Sequence, residues 1–344
     1  MSGGKMLEAV RGVSGHLRAG PALAAEAAQQ LAGFTPRRVI LCGMGGSAFP
    51  GELTRLVLDP AKVNLEVSRR YQISGAPLGS EDLVIASSFS GNTEETLSAL
   101  ADAKRQGARR VILCAGGRLE AIARAEGLPL ISLERPFPGF QPRAASGYFI
   151  GALVGLLEGI GLAPGGAERL AQIADRLSEV VADEEGVRAT ATEIADQIGE
   201  RIPVFYAPPP YAETVAQVAK IKINENAKRP AFWNEVPEFN HNEMVGYTLR
   251  SATFAPIFLM DNAAPARSQQ RMRQSLQTLR EAGVHAAEVS IRFGEGDEPL
   301  LRALATLYTF DFVSCILAER DGIDPNPVAL VEDFKAALGP FELS

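Results

Sequence analysis

The chain has few cysteines and no excess of basic residues, and each shortage excludes a class of protein. Its three cysteines, Cys42, Cys114 and Cys315, are too few and too scattered for a disulfide framework or a zinc site. Each lies in an apolar run, so we expect all three to be small buried core residues. The net charge of −7 disfavours nucleic acid and an anionic membrane surface as partners.

Long hydrophobic runs are also missing. The longest apolar run, FIGALVGLL at residues 149–157, is far shorter than a membrane span. The first twenty residues lack the apolar core of a signal peptide. We therefore expect no membrane partner and a cytoplasmic location.

The pattern of apolar residues predicts two α/β domains. A chain of 344 residues exceeds one comfortable core. Short apolar strands alternate with helical segments, which indicates parallel sheets covered by helices on both faces. The predicted strands are 37–46, 63–67, 83–92, 109–117, 202–207, 253–260 and 285–291. A region rich in Pro and Gly at 135–147 separates the two sets, so we predict doubly wound domains over residues 1–150 and 151–344.

Two turns that follow predicted strands carry groups suited to a phosphate. GMGGS, at residues 43–47, leads from a strand into a helix, so glycines and free N–H groups can meet an anion there. SSFSGNTEETL, at residues 87–97, also leads from a strand into a helix. It crowds the hydroxyls of Ser88, Ser90 and Thr93 around a glycine, which is more than a helix cap needs.

The first turn also fits the loose pattern G-x-G-x-x-A of dinucleotide folds. Glu66 follows about where an acid that binds the ribose belongs, so an NAD(P) enzyme is an alternative. A dinucleotide fold needs the first turn but not the second. Two anion-suited turns on neighbouring strands favour a sugar phosphate, and the absence of G-K-[ST] excludes a nucleoside-triphosphate loop.

The segment 223–244, INENAKRPAFWNEVPEFNHNEM, has an unusual composition. It holds the only tryptophan, one of three histidines, four glutamates and five asparagines. Helical periodicity ends here, and we predict an ordered irregular loop that Trp233 anchors against the subunit. Glu225 stands where the preceding helical pattern ends. Partial burial there would adapt a carboxyl group to act as a base near neutral pH.

These blocks resemble those of the sugar isomerase (SIS) domain family, and more closely its bifunctional phosphoglucose/phosphomannose isomerases. The matching text is GMGGS, SFSGNTEET, QPRAASGY, NENAKRP with EFNHNE, and VEDFK, in family order over roughly residues 40–335. The resemblance implies two SIS-type domains, a homodimer, no metal and no organic cofactor. It implies interconversion of glucose 6-phosphate and mannose 6-phosphate with fructose 6-phosphate through a cis-enediolate, a step of glycolysis and gluconeogenesis.

The resemblance assigns the substrate phosphate to the two turns. The residues that would bind it are Gly46, Ser47, Ser88, Ser90 and Thr93.

The resemblance assigns the proton transfers to four further residues. Glu225 would be the base that moves a proton between C1 and C2, and Arg143 the cation that faces the enediolate. His241 would open the sugar ring and reach the active site of the partner subunit, with its ring oriented by the flanking amides. Lys335 would assist ring opening.

Other parts of the pattern leave alternatives open. A family threonine linked to acceptance of both C2 epimers is replaced by Val328, so the mannose activity is less firmly implied than the glucose activity. His16 and His285 match nothing in the pattern and are predicted to be structural. Another SIS enzyme with a different sugar phosphate, a non-catalytic sugar-phosphate sensor and the NAD(P) enzyme are the competing functions. The pair Glu225 and His241 argues against the sensor.

Overall fold

The computed structural model describes residues 4–249 and 252–342. By its internal contacts the chain forms two compact units. The N-terminal unit comprises Arg11–Asp175 and Val328–Ser344, and the C-terminal unit comprises Met1–Val10 and Arg176–Pro327. The division near residue 150 stays a prediction. By their contacts, residues 151–175 group with the elements before them.

Helices and strands alternate through most of the chain. The strands are β1 (Arg38–Cys42), β2 (Leu65–Ser68), β3 (Asp82–Ser88), β4 (Arg109–Cys114), β5 (Leu130–Ser132), β6 (Ile202–Ala207), β7 (Phe232–Glu235), β8 (Phe254–Met260) and β9 (Ala287–Ser290). The helices are α1 (Gly4–Arg11), α2 (Val13–Leu23), α3 (Ala25–Gln30), α4 (Phe49–Arg55), α5 (Glu94–Arg105), α6 (Gly117–Glu126), α7 (Ser146–Gly159), α8 (Gly166–Ala182), α9 (Glu184–Ile198), α10 (Gln217–Lys222), α11 (Ala266–Glu281), α12 (Pro299–Arg320) and α13 (Ala329–Leu338).

The sheet of the N-terminal unit is parallel and has the strand order β2-β1-β3-β4-β5. All seven residues of β3 are buried, as expected for a strand covered by helices on both faces. Cys42 ends β1 and Cys114 ends β4. Both are buried, as is Cys315 on α12, which confirms the prediction for the three cysteines.

The sheet of the C-terminal unit repeats this topology. Its strands are parallel and lie in the order β7-β6-β8-β9, which matches the first four positions of the other sheet. In both sheets the direction of winding reverses between two central strands, β1 and β3 in one and β6 and β8 in the other. Ligands of such folds bind at this reversal, beyond the carboxyl ends of the strands.

The prediction that segment 223–244 is irregular is wrong in part. Phe232–Glu235 forms β7, an edge strand that pairs in parallel with β6. An edge strand has a partner strand on one side only, so its sequence need not show the long apolar run of a buried central strand. Trp233 is only half-buried, whereas Val236 and Phe239 enter the hydrophobic core of the unit. These two residues, rather than the indole, anchor the segment.

Helix α12 is the one helix in the described residues that is long and apolar enough to cross a membrane. It has 22 residues, and its whole apolar window is buried within the protein. That burial is characteristic of a core helix.

A row of glycines brings α7 into close contact with α2. A Cβ atom on Gly151 would lie 2.6 Å from the Cα of Gly20, and one on Gly147 would lie 2.6 Å from the carbonyl oxygen of Val13. Only glycine allows the two backbones to approach so closely. This packing fixes the start of α7 and the short loop before it, which contains Arg143.

His16 on α2 is a buried histidine, and we expect it to make the stability of the protein depend on pH. Its ring stacks on Tyr148 with centroids 4.1 Å apart, and its Nδ1 atom is buried without a hydrogen-bond partner in the described residues. Burial lowers the pKa of His16 from 6.5 to about 4, against a smaller opposing effect of Glu134. The neutral ring is therefore favoured in the folded state.

The contribution of His16 should be fully present above pH 6.5 and should be lost as the pH falls toward 4. From this shift, about 2 kcal/mol of unfolding free energy should disappear between pH 8 and pH 5. Chemical denaturation of the wild type and of His16→Phe, which keeps an aromatic ring but cannot titrate, measures the difference. An equal pH dependence of the two proteins would contradict the expectation.

Candidate active site

The two phosphate-suited turns meet at the reversal point of the N-terminal sheet, because one follows β1 and the other follows β3. Ser47 joins them. Its hydroxyl accepts a hydrogen bond from the backbone N–H of Phe89 at 2.9 Å, and its carbonyl oxygen accepts one from the hydroxyl of Ser87 at 2.8 Å. The first turn is thus tied to the end of β3, and the two turns form one structure.

Three hydroxyls of the second turn converge. Ser88 Oγ lies 2.8 Å from Thr93 Oγ1 and 3.4 Å from Ser90 Oγ. Thr93 precedes α5, yet within the described residues its side chain makes no capping hydrogen bond to that helix. The Thr93 hydroxyl is therefore turned to the other two hydroxyls and not to the helix end, and together the three can donate to several oxygens of one anion.

Arg143 lies against the first turn. A Cβ atom on Gly46 would be 2.8 Å from the backbone nitrogen of Arg143, so the glycine allows this approach. The arginine is only 3 % exposed, and its Nη1 atom donates to Gln141 Oε1 at 3.1 Å. The structure thus brings the predicted cation and the predicted phosphate turns together in one unit.

Arg135 is a second cation at these turns that the sequence analysis missed. Its guanidinium lies over the ring of Phe89 at 5.2 Å, and its Nε atom donates to the carbonyl oxygen of Ala115 at 3.0 Å. Its position was the signal that could have revealed it, because this arginine begins the segment RPFPGF just after β5, near the carboxyl end of that strand. It places a positive charge beside the turn that carries Ser88 and Ser90.

Glu225 lies in a distorted helical turn of the C-terminal unit. Helix α10 ends at Lys222 and continues as a π-helical turn over Ile223–Ala227. Such turns are rare and occur often at functional sites. Glu225 is half-buried.

His241 is exposed at the end of a 3-10 turn, Glu238–His241. That the flanking amides orient its ring stays a prediction, although the NH₂ groups of both amides donate to other residues. Asn240 donates to Ser275 Oγ at 2.7 Å, and Asn242 donates to Glu238. These amides hold the segment in place and leave the imidazole on the surface of the unit.

Other candidates have ordinary structural surroundings. Lys335 is exposed on α13, and its Nζ atom donates to Glu332 at 2.8 Å. Glu243 accepts hydrogen bonds from Tyr206 and Asn234, which ties it to the core. The Nε2 atom of His285 lies 2.8 Å from the carbonyl oxygen of Gln197.

The predicted residues are distributed over both units. The N-terminal unit holds Arg143, Lys335 and the phosphate-suited turns, and the C-terminal unit holds Glu225 and His241. Within residues 4–249 and 252–342, no group of three or more histidine, cysteine, aspartate or glutamate side chains is arranged to hold a metal ion.

Comparison with known proteins assigns the chain to a family. The SIS domain model matches residues 34–132, and the model of the bacterial phospho-glucose isomerase C-terminal SIS domain matches residues 188–338. The bifunctional phosphoglucose/phosphomannose isomerase of Caldicellulosiruptor bescii is 34% identical over 312 residues, which are 88% of this chain and 89% of that protein. The chain belongs to this isomerase family. The predictions of two SIS-type domains and of an isomerase are confirmed, and the dinucleotide alternative loses its support.

Two further proteins show how widely the fold is used. The D-glucosamine-6-phosphate 4-epimerase of Sulfolobus acidocaldarius is 34% identical over 229 residues, which are 65% of this chain and 69% of that protein. The structure of a candidate phosphosugar isomerase from Clostridium difficile 630 is similar with a TM-score of 0.72 and covers 100% of both chains at 13% identity. The second likeness shows a shared fold alone.

Proposed function

We propose that this protein interconverts glucose 6-phosphate, and also mannose 6-phosphate, with fructose 6-phosphate. The observation that carries the proposal is the group of three converging hydroxyls, Ser88, Ser90 and Thr93, at the reversal point of the sheet. These hydroxyls lie on the second turn, which is tied to Ser47, and Arg143 packs against Gly46 of the first turn. The family membership supplies the class of reaction.

The assigned residues include a suitable chemical group for each requirement of this reaction. The phosphate would bind to the hydroxyls and to the N–H groups at the start of α5. A base must take a proton from C2 of the open aldose and return it to C1, and this is the role of Glu225. The intermediate is a cis-enediolate with negative charge on oxygen, which the guanidinium of Arg143 would stabilise.

Sugar phosphates arrive mostly as rings, so a further acid or base must open them. His241 is exposed on its own subunit, which suits a group that acts in the site of a partner. A homodimer is therefore part of the proposal, and Lys335 would assist ring opening from its exposed helix. A cytoplasmic location and a role in glycolysis and gluconeogenesis follow from the proposed reaction. We expect it to need neither a metal nor an organic cofactor.

Incubation with fructose 6-phosphate tests the proposal directly. Both glucose 6-phosphate and mannose 6-phosphate should form, and the ratio reports the effect of Val328 at the position of the family threonine. Proton NMR of the anomeric region distinguishes the two products. The formation of neither aldose by the purified, folded protein would refute the proposal.

Replacing Ser90 by alanine should raise KM with little change in kcat. The phosphate is held equally in the ground state and the transition state, so a lost phosphate contact weakens both. Both serines also support the turn, since Ser88 Oγ accepts the N–H of Gly91 at 3.1 Å and Ser90 Oγ accepts the N–H of Asn92 at 3.2 Å. Initial rates over a range of fructose 6-phosphate concentrations measure the effect. KM values that stay unchanged in alanine variants of Ser47, Ser88, Ser90 and Thr93 would rule out this phosphate site.

A 4-epimerase of glucosamine 6-phosphate is the second candidate function. It is favoured by the 34% identity to the Sulfolobus acidocaldarius enzyme over 65% of this chain. Incubation with glucosamine 6-phosphate, followed by NMR analysis of the configuration at C4, distinguishes it from the isomerase. An isomerase should leave C4 unchanged.

A further inference from the structure

The π-helical turn that carries Glu225 is held by a set of buried polar contacts. A turn with i→i+5 hydrogen bonds departs from the regular helix and is rarely formed by a chain on its own. The contacts around Ile223–Ala227 therefore show what keeps the backbone in this shape. The side-chain contacts of Lys222 and Asn226 come from α12, which packs beside the turn within the same unit.

Two contacts clamp the two ends of the turn to one face of α12. Lys222, the last residue before the turn, forms an ion pair with Asp311, and the residues are 5 % and 6 % exposed. Asn226, which is fully buried, donates from Nδ2 to Ser314 Oγ at 2.9 Å. Asp311 and Ser314 are three residues apart, so they are neighbours on the helix surface.

The chain after the turn is fixed as well. Lys228 has a left-handed backbone conformation with φ of 57°, and its ammonium group donates to the carbonyl oxygen of Glu225. Arg229 then pairs with Asp321 at the end of α12 through two hydrogen bonds of 2.6 and 2.7 Å. The chain before and after Glu225 is consequently fixed to α12.

A buried ion pair adds little stability in comparison with apolar residues of similar volume, because both charges must leave water. What it can supply is a defined position. We propose that the Lys222–Asp311 ion pair and the Asn226–Ser314 hydrogen bond are positioning elements, which hold the π-helical turn so that the Glu225 carboxylate is presented for proton transfer. This inference rests on the proposed function, in which Glu225 is the base.

The double variant Lys222→Met/Asp311→Leu tests whether the ion pair positions Glu225 or only stabilises the fold. Because both charged residues are replaced, no unpaired charge stays buried. The variant should therefore stay folded, with a Tm near that of the wild type or above it. Its kcat should fall about 10- to 100-fold, because a displacement of about 1 Å at a reacting group has an effect of this size. KM should stay nearly unchanged, since the phosphate-binding residues belong to the other unit. A wild-type kcat in the folded double variant would overturn the proposal.

Ser314 offers a milder test if the double variant fails to fold. Ser314→Ala removes the acceptor of the Asn226 amide and should lower kcat, whereas Ser314→Thr keeps a hydroxyl and should restore much of it. Thr309→Val is the matched control. Thr309 is on the same helix and only 3 % exposed, and its hydroxyl donates to the carbonyl oxygen of Ala305 at 3.3 Å, as that of Ser314 donates to the carbonyl oxygen of Asp311. The control therefore removes a bond within α12 without touching the π-helical turn. Equal losses of kcat in Ser314→Ala and Thr309→Val would show a general effect on the helix and overturn the proposal.

Combination with Glu225→Gln distinguishes this proposal from the assignment of the base. If Ser314 acts through Glu225, adding Ser314→Ala to Glu225→Gln should slow the enzyme no further. A full additional loss of rate would mean that Ser314 acts by another route and would overturn the positioning role. Retention of substrate proton exchange by Glu225→Gln alone would instead refute Glu225 as the base.

Discussion

Replacing Glu225 by glutamine should lower kcat by about 10²- to 10⁴-fold and leave KM almost unchanged. Glutamine keeps the shape and much of the hydrogen bonding of the side chain but cannot carry a proton between C1 and C2. Substrate binding through the phosphate should persist, because the hydroxyls that would hold it are on a different turn. Steady-state kinetics with fructose 6-phosphate measure both constants.

Exchange of the C2 proton of glucose 6-phosphate with D₂O gives a second readout for the same variant. Exchange and turnover should fall in parallel, because both report the same proton abstraction. Near-normal exchange in Glu225→Gln would mean that the base lies elsewhere. Glu235 and Glu238 would then be the next candidates, ahead of Glu243, whose carboxylate is bound by Tyr206 and Asn234.

His241→Ala provides the contrast to the base variant. A ring opener acts before proton abstraction, so this variant should slow turnover of the cyclic substrate far more than proton exchange in an open-chain analogue. The histidine is exposed and within the described residues makes no hydrogen bond, so its removal should leave the fold intact. Equal effects on both substrates would contradict a role in ring opening.

The fold was predictable where apolar pattern and strand direction act together. The repeated RRVILC text marks two buried parallel strands, and parallel strands that alternate with helices leave few possible topologies. The turns after β1 and β3 could be assigned to one site, since ligands of such sheets bind at the carboxyl ends of strands. The edge strand β7 was missed because it has only four residues and pairs on one side only. Its sequence therefore shows no clear alternation of apolar and polar residues.

The details of the site depend on contacts that are distant in sequence. The residues at the two ends of the π-helical turn at Glu225 contact Asp311 and Ser314, which lie 89 residues from Lys222 and 88 residues from Asn226. A sequence pattern of period 3.6 cannot show that a helix widens by one residue at a given turn. Local sequence equally gave no sign that Asn240 donates to Ser275 on α11, 35 residues further along the chain.

The burial of Arg143 also went beyond what its local sequence indicates. An arginine after proline in a loop is usually a surface charge, but here the close packing of α7 on α2 and the missing side chain of Gly46 allow it into the interior. A buried guanidinium with its orientation fixed has a greater electrostatic effect than one in water. This is the physical basis for the second large effect that we expect.

Replacing Arg143 by lysine should lower kcat by about 10²- to 10³-fold, the size found when one group that stabilises a developing oxyanion is removed. Lysine keeps the positive charge but not the planar fork of donors, so it cannot meet both oxygens of a cis-enediolate in the same geometry. Affinity for a five-carbon aldonate phosphate, whose carboxylate imitates the enediolate, should fall in parallel. Inhibition constants for that compound and for inorganic phosphate, measured side by side, provide the readout.

Arg135→Lys is the matched control for Arg143→Lys, because it changes the other arginine beside the turns in the same chemical way. Arg135 lies over the ring of Phe89, the residue between Ser88 and Ser90, so its replacement should raise KM and weaken inhibition by inorganic phosphate. Arg143→Lys should leave inhibition by inorganic phosphate nearly unchanged and act on kcat. The opposite pattern, in which Arg143→Lys changes KM alone, would mean that Arg143 binds the phosphate and that another group must stabilise the enediolate.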